Sequence, residues 1–268
     1  MTVTRVHHLN CGTLRPLGRQ IPGLMPDDLV AHCLLLERSD GLTLVDTGIG
    51  VGDVQERGAR LGRSFMVLVG PVLDQAETAY AQVAARGFSP TDVTDIVLTH
   101  LDPDHSGGLA DFPRAAVHVG RLEHDAAMHP VIREKLRYLP AHWSHGPRWQ
   151  VHDPGGESWE GFESVKVLGD DVLLIPLIGH TRGHSGVAVR TGDGWLLHAG
   201  DAFFHHHDLS RTRRTPPGLI AFQRAQSMVQ AARLENLERL RELNERASGA
   251  ITVFCAHNRE QFDPLARD

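Results

Sequence analysis

Between residues 99 and 108 the chain reads Thr-His-Leu-Asp-Pro-Asp-His-Ser-Gly-Gly, and no other stretch narrows its fold so sharply. His100, Asp102, Asp104 and His105 place two imidazoles and two carboxylates within six positions. These are the donor types that zinc-class cations take as ligands. Asp95 to Thr99 reads as a short buried strand running into the cluster. A strand end holds side chains rigidly, as a metal site requires. Alone, the run also fits a solvated polar loop following a strand.

Three later segments repeat the arrangement. Gly179-His180-Thr181-Arg182-Gly183-His184, Ala199-Gly200-Asp201 and Cys255-Ala256-His257 each follow an apolar run: Leu173 to Ile178, Trp195 to Leu197, and Ile251 to Cys255. Asp46-Thr47-Gly48 follows a hairpin read from Val30 to Glu37, the turn Ser39-Asp40-Gly41 and Leu42 to Val45. One histidine at a strand end is usually a satisfied core residue. Several segments with the same pattern point to donors gathered along one edge of a sandwich.

The remaining periodicities predict a helix over 74–86, strands over 115–119, 172–175, 186–190 and 195–197, and a helix over 121–128. Residues 129–160, rich in Pro, His, Gly and Trp, read as irregular. Leu219 to Arg246 reads as one long amphipathic helix with Met228, Ala232, Leu237, Leu240 and Leu243 on a face. Strands, a helix, strands and a helix in that order suggest two packed sheets with helices outside, rather than a doubly wound sheet.

This pattern resembles that of the metallo-β-lactamase superfamily. Its counterparts here are Asp46-Thr47-Gly48, His100 to His105, His180, Asp201 and His257, spread over essentially the whole chain. The resemblance implies an α+β fold, a four-layer αββα sandwich of two mixed β-sheets flanked by helices, as a single domain over 1–268. It also implies two divalent metal ions, zinc foremost. His100, Asp102 and His180 would hold one, and Asp104, His105 and His257 the other, with Asp201 bridging. Asp46 would orient a ligand from behind, or cap a turn; His184 would do the same, or serve the core. Within the superfamily the chain looks most like the small quorum-quenching lactonases, a likeness carried by 117–125, 137–140 and 179–184. The implied reaction uses a metal-bound hydroxide to cleave a lactone, ester or thioester, with Asp104 as the catalytic proton carrier.

Two positions depart from the family pattern. Its H-x-H-x-D-H is H-x-D-x-D-H here, with Asp102 in place of the second histidine. That carboxylate adds negative charge and hardness, which admits iron or manganese; alternatively Asp102 points away and one metal binds tightly. The tyrosine that lactonases carry three residues after the bridging aspartate is Phe204, which cannot donate a hydrogen bond. His205, His206 or His207 could substitute in the pocket, or lie in a solvated loop. Residues 15–28 and 60–72 are expected to wall that pocket.

Composition closes other routes. The net charge is −6 and the 25 arginines are scattered, so no basic groove invites nucleic acid. Cys11, Cys33 and Cys255 are odd in number and lie in apolar stretches, so they read as reduced core thiols. No apolar signal region opens the chain and no run has membrane-spanning length, so a cytoplasmic enzyme of a small-molecule substrate is expected, with no membrane partner. The 219–246 helix or the 129–160 stretch could form a homodimer contact. A di-iron redox protein, motivated by Asp102, and a glyoxalase-II-like thioesterase are the competing readings. The first would lack its flavin domain, and the second its helical extension, since the chain ends eleven residues after His257.

Overall fold

Leu34, Leu35 and Leu36 stand in sequence with no polar residue between them because both faces of their strand are covered. Leu34 and Leu36 join Val45, Val97, Leu174, Val187 and Phe254 in the layer between two sheets. Leu35 points the other way, among Leu44, Ile96, Val117 and the helix residues Ala79 and Val83. The computed structural model describes residues 2–192, 194–247 and 249–267.

The first sheet holds β1 (Val3–Leu14), β2 (Leu29–Arg38), β3 (Gly41–Val45), β4 (Val93–Val97), β5 (Ala116–Gly120) and β6 (Arg148–His152), paired in that order. The second holds β7 (Glu157–Trp159), β8 (Phe162–Leu168), β9 (Val172–Pro176), β10 (Ser185–Thr191), β11 (Gly194–His198) and β12 (Ile251–Phe254), again in order. Each sheet mixes parallel and antiparallel pairs. The outer face of the second is covered by Leu237, Leu240 and Leu243 of the helix Gln230–Arg246, packed on Ile175, Ala188 and Val253. The expected four-layer αββα sandwich results.

Strand directions set the site. β3 and β4 run parallel. β9 and β11 are both antiparallel to β10, hence parallel to each other, and β12 is parallel to β11. The segments leaving the C-terminal ends of β3, β4, β9, β11 and β12 deliver Asp46, His100, His180, Asp201 and His257 to one edge. Hydrogen bonds from Ser185 N to Thr99 O (3.0 Å) and from His32 N to Ala256 O (2.9 Å) tie the two sheets together there.

Two expectations need correction. The long helix over 219–246 is two, Pro217–Gln226 and Gln230–Arg246. The chain breaks between them because the Gly179 carbonyl collects the Ser227 hydroxyl and the Met228 and Val229 amides, each at 2.9 Å. Those bonds replace helix continuation and fix the loop that carries His180. The irregular stretch 129–160 contains β6 and β7; β6 lies at the edge of its sheet and has no fully buried residue. Among the described residues, no helix is long and apolar enough to cross a membrane.

Candidate metal centre

The helix Pro103–Ser106 begins one residue after Asp102, with Pro103 at its first position, where a missing N–H costs nothing. That short turn places Asp104 and His105 close to His100. Behind them Asp46 adopts a left-handed backbone, φ 58°, which Asp tolerates better than most residues. Its carboxylate accepts from Thr99 N (2.8 Å), Thr99 Oγ1 (2.7 Å) and His105 Nδ1 (2.8 Å). The His105 ring is thereby oriented with Nε2 facing the cluster. His257 is fixed in the same manner by donation from Nδ1 to Val30 O at 2.8 Å.

Ring nitrogens and carboxylate oxygens gather into two groups, His100/His180/Asp201 and Asp104/His105/His257, each within 4.8 Å. Asp201 faces both. Its Oδ2 lies 3.8 Å from His100 Nε2 and 3.4 Å from His180 Nε2, and its Oδ1 lies 3.3 Å from His105 Nε2 and 3.0 Å from His257 Nε2. Asp201 is aimed by its own amide, which donates to His184 Nε2 at 2.9 Å while His184 Nδ1 donates to Leu177 O. Gly200 before it sits at φ +52°, and a Cβ there would lie 2.6 Å from His184 Nε2.

Asp102 turns one oxygen inward: Oδ2 is 2.9 Å from His180 Nε2 and 3.5 Å from His100 Nε2. The other, Oδ1, forms an ion pair with Arg137 Nε at 3.2 Å. Burial raises the Asp102 carboxyl, but the Arg137 guanidinium and hydrogen bonds from His100 and His180 hold it well below the usual range. Burial likewise opposes ionisation of Asp201, and His257, His105 and His180 overcome it. Burial also opposes the charged form of His105, and Asp201 and Asp46 outweigh it to raise the imidazole. Glu123, buried behind the cluster, accepts from Leu101 N, Tyr138 OH and Thr181 Oγ1, joining the 100–105 and 180–184 loops.

The donor set fits divalent metal. Nε2 of His100, Nε2 of His105 and Oδ1 of Asp201 are buried without a hydrogen-bond partner. Buried polar atoms are normally satisfied, so three orphans gathered in one cluster are what metal ligands look like. Beside them opens a cavity of about 280 Å³, floored by Asp104, Asp201 and His257 and walled by Leu14, Leu29, Phe65, Leu68, Phe222 and Met228. Both loops expected as walls contribute. Arg137 and Leu136 also line it and carried no signal in the sequence beyond the family likeness of 137–140, while Met228, expected on the apolar face of the long helix, lies in the break between the two helices and faces the cavity. Phe204 lines it, 4.9 Å from the His257 ring and 5.7 Å from that of His180. His205 and His207 do not. Asp208 accepts from the amides of Phe204 and His205, which winds 206–209 into a tight turn away from the cavity, and His205 faces a separate polar cleft.

Two donor groups sharing one aspartate at the edge of an αββα sandwich define a metal-dependent hydrolase. The family model for the metallo-beta-lactamase superfamily matches residues 26–245, and the chain belongs to that superfamily. A probable metallo-hydrolase of Mycobacterium tuberculosis is 44% identical over 268 residues, covering 98% of this chain and 83% of its own. The N-acyl homoserine lactonase AttM of Rhizobium johnstonii is 27% identical, covering 94% and 93%. Among solved structures, an N-acyl homoserine lactone hydrolase with N-hexanoyl-L-homoserine at its catalytic metal centre shares the fold at TM-score 0.72 and 23% identity, covering 97% of this chain and 96% of its own.

Proposed function

We propose that this chain hydrolyses a small acyl compound carrying an apolar tail, a lactone or ester foremost and a thioester by the same chemistry. His100, Asp102 and His180 would hold one divalent metal ion and Asp104, His105 and His257 a second, with Asp201 shared. Two such ions supply a water acidic enough to attack at neutral pH and polarise the acyl carbonyl. The observation that supports this most is the set of orphaned, buried donor atoms opening onto an apolar cavity. The lactonase relatives support a lactone.

The chain's own residues divide the remaining work. Leu14, Leu29, Phe65 and Phe222 bind the tail and exclude water, so that the carbonyl end reaches the floor. Phe204 packs against the His180 and His257 rings and holds them in place, but offers no donor to the carbonyl. Asp104, with Oδ2 3.7 Å from His257 Nε2, accepts the proton of the attacking water. It returns that proton to the leaving oxygen, or to the sulfur of a thioester, as the acyl bond breaks. A panel of lactones, esters and thioesters tests the reading. Asp104→Asn and His105→Ala should each abolish turnover while the protein stays folded; full activity in either would overturn it.

A further inference from the structure

The run His205-His206-His207 is left over once the cavity is accounted for, and we propose that His206 and His207 form a separate transition-metal site together with Glu260. The three imidazoles each bring a ring nitrogen within 4.8 Å of the other two. Ring centroids are 4.5 Å apart for His205 and His206, and 4.2 Å for His206 and His207.

Tautomers favour binding. His206 Nδ1 lies 2.9 Å from Asn258 Oδ1, an acceptor, so Nδ1 carries the proton and Nε2 keeps its lone pair. His207 Nδ1 likewise donates to Arg214 O at 3.1 Å. Ligating histidines usually donate their second nitrogen to oxygen in this way. The free Nε2 of His206 faces a carboxylate, Glu260 Oε2, at 3.4 Å. Two imidazoles and one carboxylate, completed by water, suit zinc, nickel or copper. His205 is spent differently: its Nδ1 accepts from His207 N, and its ring stacks on His206 as a wall.

The turn bearing these rings is held independently of any ion. Asp208 accepts from Thr215 Oγ1 at 2.6 Å and from Gln223 Nε2 at 3.0 Å. A cation there would clamp this turn, four residues past Asp201, to the helix Arg259–Leu265, which starts two residues past His257. Its chemical effect is therefore to stiffen two segments that feed the main centre.

The test is a count of bound zinc by elemental analysis after equilibration in zinc-buffered solution, paired with thermal unfolding. Wild type should bind one equivalent more than a His206→Gln/His207→Gln double variant, and excess zinc should raise the Tm of wild type but not of the variant. Glu260→Gln, an exposed change that leaves both rings in place, should weaken the same equivalent. Equal counts in wild type and double variant would overturn the proposal. The equivalents left in the double variant report on the two-metal centre, so failure of that reading is separately visible.

Discussion

Replacing Arg137 with Met removes the arginine paired with the buried Asp102 carboxylate. Arg137 Nε and Asp102 Oδ1 are 3.2 Å apart, with 11% and 12% of the side chains exposed. At an effective dielectric of about 20 the gross attraction is roughly 5 kcal/mol. Breaking such a pair from one side costs about 3–5 kcal/mol, because the remaining charge stays buried. In metal-stripped protein Arg137→Met should therefore lower the Tm by roughly 5–9 °C. Arg137 also donates to His180 O and Gln226 O, so the single variant alone does not isolate the pair. A double-mutant cycle with Asp102→Asn does, and the coupling should exceed about 1.5 kcal/mol. The sign of its pH dependence follows from the depressed Asp102 carboxyl. The coupling is fully present above the unfolded-state value, about 3.9, and is lost as pH falls from there through the folded value. Loading with metal should shrink the penalty, since a cation then faces the other Asp102 oxygen. An Arg137→Met cost that is the same in the wild-type background and in the Asp102→Asn background would refute the reasoning.

Gly200→Ala forces a Cβ to 2.6 Å from His184 Nε2 at φ +52°, so it should cost about 1–3 kcal/mol and release bound metal, read by unfolding and elemental analysis. Leu240→Ala, fully buried under the second sheet and remote from the centre, should cost about 2–5 kcal/mol by denaturant unfolding while activity per folded molecule stays unchanged. Phe204→Tyr places a hydroxyl on the cavity wall, so it should raise kcat on lactones more than it changes KM, measured on a lactone series.

The sandwich and the donors are legible in the sequence because they depend on local pattern. Strands buried on both faces are short apolar runs, and each donor stands just past such a run. What the sequence hides depends on distance. Arg137 meets Asp102 across 35 positions, and nothing near either residue marks the pairing. The break at 227–229 is likewise invisible, since the helical pattern continues through it and only the Gly179 carbonyl, 48 residues before Ser227, interrupts it. β6 alternates Trp149 and Val151 with polar neighbours, but five residues beside Gly146 and Pro147 are too short a run to stand out. The three histidines mislead by proximity to Asp201: their position suggests the cavity, while Asp208 turns them from it.

The central claim is a two-metal centre built on Asp201, and its most direct test is the metal content retained after exhaustive dialysis. Wild-type protein should keep at least two divalent ions per chain, one for each donor group of the main centre, and His105→Ala and Asp201→Asn should each keep fewer while remaining folded. Wild-type protein that retains none, or variants that retain as much as wild type, would contradict it.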